Sequence, residues 1–349
     1  MLIIGCSSPY DSAYTSNLPI INGTRFRDTD DNFMHTHGGS ILKAGDYFYW
    51  YGEHRYPNFK SKGISCYRSK DLINWEYRGD ILSDTSSPEL SPSYMERPKV
   101  IYNARTKKYV LWFHWENGKH YGEARAAVAF GDTPDESFTY RGSFRPLAET
   151  GFDDPGDSET NEDGSPGRPG YMSRDCTLFV DDDGAAYFIS AWNENASLNL
   201  YRLSSDYMEI ESLVTKLYAG QKREAPCMFK RDGYYYLITS GCTGWNPNQG
   251  KWAWSKNIDH GWSKLMNLGD ASTYRSQPAF IYPVEGSKKT SFLYTGDRWG
   301  PAFGASVADS QYVWLPLRFD SANLISLEWY DRITVNTRTG EINGDSSHK

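Results

Sequence analysis

Five positions in this chain carry polar side chains at the head of otherwise apolar stretches: His37, Glu96, Asp175, Glu224 and Gln277. Three of them are carboxylic acids. Polar groups there are poor core material, because burying them unpaired is costly. One such residue alone reads as a satisfied hydrogen-bonding group. Five in the same register point to a shared cleft. Two or more carboxyls facing one cleft suit glycoside hydrolysis. One acid protonates the leaving oxygen, and another group activates or orients water on the opposite face. Crowded like charges and burial raise one pKa, which keeps that acid protonated near neutrality.

A repeat positions these residues. Each opens an apolar strand, which a Gly/Asp/Lys turn links to an aromatic strand. His37 leads into Ile41-Leu42, the turn Ala44-Gly45-Asp46, and Tyr47-Phe48-Tyr49-Trp50-Tyr51. The pattern returns after Glu96, Asp175, Glu224 and Gln277, and each interval leaves room for a four-stranded sheet. Outer-strand signals recur at 69–75, 204–207 and 255–258. Five such units predict an all-β, five-bladed β-propeller, whose closure protects its sheet edges. Its inner strands surround a channel, so anchors remote in sequence converge at one mouth. The shared strand-entry anchor disfavours a β-sandwich or jelly roll.

Composition narrows the function. The 349 residues carry a formal net charge of -7. No Lys/Arg-rich block is present, which argues against nucleic acid and anionic membrane surfaces as partners. Aromatic residues make up 15%, with 26 Tyr and 12 Trp. They suit strands, and flat rings also pack against sugars. The five Cys are scattered without a CxxC pair, so zinc and redox motifs are missing, and the odd count leaves a free thiol. The start, Met1-Leu2-Ile3-Ile4-Gly5-Cys6, resembles the tail of a bacterial lipoprotein signal with Cys6 as the lipidated residue, although a basic leader is missing. Residues 1–19 then form a signal remnant and tether, 20–340 the catalytic propeller, and 341–349 a disordered tail. The acidic stretch 149–169 reads as a solvated loop rather than a calcium loop, since EF-hand spacing is missing.

Together these motifs resemble glycoside hydrolase family 43, and more narrowly its exo-β-1,3-galactanase branch. The resemblance is carried by His35-Thr36-His37-Gly38-Gly39, Tyr49-Trp50-Tyr51-Gly52-Glu53, Glu96-Arg97-Pro98, Ser173-Arg174-Asp175, Arg223-Glu224-Ala225-Pro226, Thr243-Gly244-Trp245, Ser276-Gln277-Pro278 and Gly296-Asp297-Arg298-Trp299. It spans residues 20 to 335. Each motif alone is weak; their joint order is specific. The resemblance implies a five-bladed propeller with inverting chemistry. It makes Glu224 the general acid and Asp175 the residue that orients and tunes it. Glu96, Glu53, Tyr121 and Thr243 would hold the terminal galactose.

Most of the family uses a first-blade Asp as base. Here His-Thr-His stands at that place, and Gln277 matches the branch's substitute. A neutral amide has almost no proton affinity, so three routes stay open. Gln277 acts through its imidic tautomer, or it positions water while Glu96 or Glu53 takes the proton, or the transition state needs little base. Positioning of water by Gln277 is the preferred reading. His37 is counted with the substrate-binding set, although it also reads as a channel-floor ligand or a hydrogen-bonded core histidine. Trp245 and Trp299 stand in Gly-rich loops and either stack on sugar or pack. Asp297 beside Arg298 reads as an ion pair.

The expectation is a monomeric, secreted enzyme at a bacterial periplasm or cell surface, acting on arabinogalactan-type β-1,3-galactan. It needs no cofactor, and a structural calcium is allowed. An arabinofuranosidase or β-xylosidase of the same architecture is the first rival, and the missing first-blade Asp counts against it. A lectin-like propeller is the second, and the retained Asp175 and Glu224 count against that.

Overall fold

The computed structural model describes residues 18–150, 169–321 and 323–346. Strand β1 is Ile20–Ile21. Blade one is the meander β2 (His37–Ala44), β3 (Tyr47–Arg55), β4 (Ser61–Ser69) and β5 (Glu76–Ser83). Blade two holds β6 (Tyr94–Asn103), β7 (Lys108–Glu116), β8 (Arg125–Gly131) and β9 (Thr139–Phe144). Blade three holds β10 (Cys176–Val180), β11 (Ala186–Trp192), β12 (Ser197–Leu203) and β13 (Ile210–Leu217). Blade four holds β14 (Arg223–Arg231), β15 (Tyr234–Gly241), β16 (Gly250–Ser255) and β17 (Met266–Leu268). Blade five holds β18 (Gln277–Glu285), β19 (Thr290–Arg298), β20 (Gln311–Ser321) and β21 (Leu324–Leu327). The chain ends in β22 (Arg332–Asn336) and β23 (Glu341–Asp345).

The predicted turns are the hairpins that join the first two strands of each blade. Asp232 and Gly233 both adopt positive φ, at 51° and 77°, as a two-residue hairpin requires. The predicted outer-strand signals are in fact the turns before the outer strands. Ser69 Oγ accepts from the amides of Asp71 and Leu72, and Ser204 Oγ accepts from Glu209 N. Such side-chain bonds replace ladder bonds and end the strand.

The five-bladed expectation is corrected: the described residues form six sheets, and the propeller has six blades. The inner strands β2, β6, β10, β14 and β18 meet their neighbours in a closed ring. The sixth blade is the three-stranded sheet β1-β22-β23, which rests on β19 and β20. It escapes a repeat search because it is assembled from both ends of the chain and carries no polar anchor. The tail predicted over 341–349 is corrected at its start, since Glu341–Asp345 is a paired strand, and 347–349 lie outside the described residues. Residues 1–17, with Cys6, and 151–168, most of the acidic stretch, lie outside the described residues.

The core lies between blades rather than within one layer. One cluster joins blade one to blade two through Tyr51, Ile64, Leu111 and Phe113. Others join two to three and three to four, and the largest joins blades one, four, five and six. Trp75, Trp112, Trp252 and Trp314 are fully buried in these seams. Each seam fixes the distance between two neighbouring anchors.

Candidate active site

Four of the five anchors owe their aim to a bulge. The ladder shifts register directly after His37, after Glu96 and after Glu224, and again after Pro278. Gly38, Arg97 and Ala225 follow the first three anchors with φ of 63°, 54° and 51°. A left-handed residue after the anchor bends the strand and re-aims its side chain, a known use of bulges beside active sites. The cost, about 1–2 kcal/mol for a non-glycine residue, falls on Arg97 and Ala225. Lys99 ties two bulges together: its Nζ donates to Gly38 O at 2.6 Å and to Arg97 O at 3.3 Å. Burial pushes its ammonium down to about 8.

Glu224 and Gln277 touch. Gln277 Nε2 donates to Glu224 Oε1 at 2.9 Å and to Ser240 Oγ at 2.9 Å. Gln277 Oε1 accepts from Trp299 Nε1 at 2.7 Å and from Arg97 Nη2. Both partners of Oε1 are obligate donors, so the amide can face only one way. Asn195 Nδ2 donates to Glu224 Oε2 at 3.0 Å. Burial, then the charge of Asp175, lifts the Glu224 carboxyl to about 7 against the pull of Arg97. Asp175 Oδ2 accepts from Ala225 N at 3.0 Å and pairs with Arg97 Nη2 at 3.2 Å. It thus grips the residue next to the acid.

The opposite wall is an ion-pair network. Arg55 donates from Nε and Nη2 to Glu53 Oε2 at 2.9 and 2.8 Å, and from Nη2 to Glu96 Oε1 at 2.6 Å. Tyr121 donates to Glu96 Oε1 at 2.7 Å. Arg97 N donates to Glu53 Oε1 at 3.0 Å. Against the cost of burial, Arg55 and His114 hold Glu96 below the usual carboxylate range, whereas burial raises Glu53. Burial opposes charge on His114, but its bonds to Glu116 and Glu96 push it up to about 9. Glu96, His114 and Asp175 also place ligand atoms within 4.8 Å of one another, close enough to share a cation. Arg55 and Arg97 already pair with these carboxylates.

These groups line a pocket of about 380 Å³, near the lower end of ligand pockets at about 300–1,000 Å³. Of the predicted residues it gathers Glu53, Glu96, Tyr121, Asp175, Glu224, Trp245, Gln277 and Trp299. His37 and Thr243 fall outside its lining. His37 stands behind the pocket, Nδ1 3.0 Å from Asp297 Oδ1 and stacked on Tyr312 at 4.4 Å. Thr243 is exposed and bonds to Asn246 O and Asn248, while Gly244 and Trp245 reach the pocket. The Asp297–Arg298 pair is also corrected: Asp297 binds His37 and Gly38 N, and Arg298 donates to Tyr274 O.

Sequence reasoning missed Arg55, Phe59, Arg97, His114 and Asn195 as pocket residues. His114 carries a legible signal, since it pairs with Glu96 across the strands as Glu53 pairs with His37. Asn195 sits in a hairpin where Asn193, Glu194 and Asn195 all have positive φ, and one sequence gives no sign of that.

Residues 34–269 match the glycosyl hydrolases family 43. An exo-β-1,3-galactanase from Clostridium thermocellum is 57% identical, with a TM-score of 0.90, over 95% of this chain and 69% of that one. An exo-β-1,3-galactanase from Phanerochaete chrysosporium, crystallised as a variant with β-1,3-galactotriose, is 33% identical, with a TM-score of 0.82, over 94% of this chain and 71% of that one. A xylan 1,3-β-xylosidase from Vibrio sp is 25% identical over 223 residues, and the match spans 58% of this chain and 35% of that protein. On the extent of these matches, and on a buried carboxylic acid beside a locked amide, the chain belongs to glycosyl hydrolase family 43.

Proposed function

We propose that this chain is an exo-acting β-1,3-galactanase that releases galactose from the non-reducing end of β-1,3-galactan in arabinogalactan-type polysaccharides. One observation carries the reading. Glu224, held as an acid near neutrality, lies against an amide rather than a second carboxylate, in a pocket of terminal-sugar size. That the relatives from Clostridium thermocellum and Phanerochaete chrysosporium are exo-β-1,3-galactanases supports the substrate.

In this reading Glu224 donates its proton to the departing glycosidic oxygen. Gln277 Oε1 already accepts from a guanidinium and an indole, which lowers its affinity for a third hydrogen. A water held by Gln277 therefore replaces one existing partner. Of the two nearby carboxylates Glu53 is the stronger base, because burial raises it while Arg55 and His114 hold Glu96 down. No cofactor enters this scheme.

The test is digestion of arabinogalactan, β-1,3-galactobiose, xylan and arabinan, scored for released monosaccharide. Galactose from the first two supports the reading; xylose or arabinose release without galactose rejects it. Inversion predicts α-galactose as the first product by proton NMR, and a β product rejects inversion.

A further inference from the structure

Five aromatic rings form a chain around the pocket mouth. Tyr121 stacks on Tyr94 at 5.2 Å, Tyr94 meets Phe59 at 5.0 Å, Phe59 meets Trp245 at 5.5 Å, and Trp245 meets Trp299 at 5.1 Å. The chain starts in blade two, crosses the β3–β4 loop of blade one and the β15–β16 loop of blade four, and ends at blade five. Blade three lines the pocket with Arg174, Asp175 and Asn195 and with no aromatic ring. Phe59 is the one ring in this chain that joins blades one and four, which are not neighbours around the ring of inner strands.

Phe59 is also held at a cost. Its φ is 77°, in the left-handed region that disfavours bulky side chains. Glycine would fit this turn better, so the ring is kept for what it contacts. Arg55 fastens it: Nη1 donates to Phe59 O at 2.8 Å, and the guanidinium lies 4.5 Å from the ring centroid. The same guanidinium grips Glu53 and Glu96. The rim and the sugar-binding carboxylates are therefore one assembly.

We infer that Phe59 is the keystone of the closed rim and a specificity-determining residue: it blocks passage of a polysaccharide beyond the terminal sugar and leaves blade three as the exit for the rest of the chain. This rests on the exo-galactanase reading above. With Phe59 and Trp245 in contact, a galactan enters by its end. Without that contact a gap opens between blades one and four, and internal linkages reach Glu224.

The experiment digests long β-1,3-galactan with wild type, Phe59→Gly and Trp245→Ala, with products resolved by size at low conversion. Glycine relieves the backbone at position 59, and Trp245→Ala breaks the same contact from the other blade. Either variant is expected to raise the ratio of β-1,3-linked oligosaccharide to galactose by about tenfold over wild type, given the worth of aromatic pairs. Galactose as sole product of both folded variants overturns the inference and leaves the substrate reading intact. A wild type that releases no galactose rejects that reading and this inference together.

Discussion

Glu224 accepts an N–H bond at each carboxylate oxygen, yet burial and Asp175 hold its carboxyl at about 7. Gln277 cannot turn to accept a proton, because Arg97 and Trp299 occupy its oxygen. Two consequences are measurable in Glu224→Gln. Turnover on galactan should fall by about 10²–10⁴-fold, the usual worth of a general acid, and by less on aryl galactosides with good leaving groups. Equal turnover on the polymer would remove Glu224 from the mechanism. Stability should also change with pH. The folded carboxyl binds its proton more tightly than the unfolded one, whose reference is 4.5. Its contribution is fully present below about 4.5 and is lost as pH rises to about 7. Glutamine stays neutral throughout. The variant's melting temperature should therefore gain on wild type between pH 5 and pH 8, and a constant difference would contradict the burial argument.

At the scale of the element, the bulges decide the site. Gly39 lies inside the β2 bulge, where an added Cβ would stand 1.7 Å from Tyr51 O. Gly45, in the next hairpin, has open space around it and φ of 58°. Gly39→Ala should cost about 3 kcal/mol or more, because backbone must move. Gly45→Ala should cost about 1–2 kcal/mol, from the left-handed backbone alone. Urea unfolding of both variants measures the gap, and equal costs would deny the tight crossing of β2 and β3. The same bulges mark the limit of what was legible. The polar heads of the apolar strands pointed to Glu96, Asp175, Glu224 and Gln277, because period and residue type are local. His37 stands in the same register and faces away from the pocket, because Asp297 from blade five claims it. Arg55 and Phe59 went unread because Glu96, Tyr94 and Trp245, the partners that tie them into the site, lie in other blades.

Across the whole molecule, closure joins what sequence separates. Asn22 holds the seam: Nδ2 donates to Trp314 O at 2.8 Å and Tyr330 O at 2.9 Å, and Oδ1 accepts from Trp314 N at 2.6 Å. Beside it β1 pairs with β22, so the sixth blade ties the start of the described chain to its end. Blade one then meets blade five through His37 and Gly38 on Asp297, which orders the strand behind Gln277. Asn22→Ala removes three bonds and leaves their partners buried. At about 1 kcal/mol each, the loss is about 3 kcal/mol, or roughly 5 °C in melting temperature. The anchors are untouched, so turnover at 25 °C should stay close to wild type while thermal inactivation comes earlier. A melting point within a degree of wild type would show that the hydrophobic seam closes the ring without the asparagine.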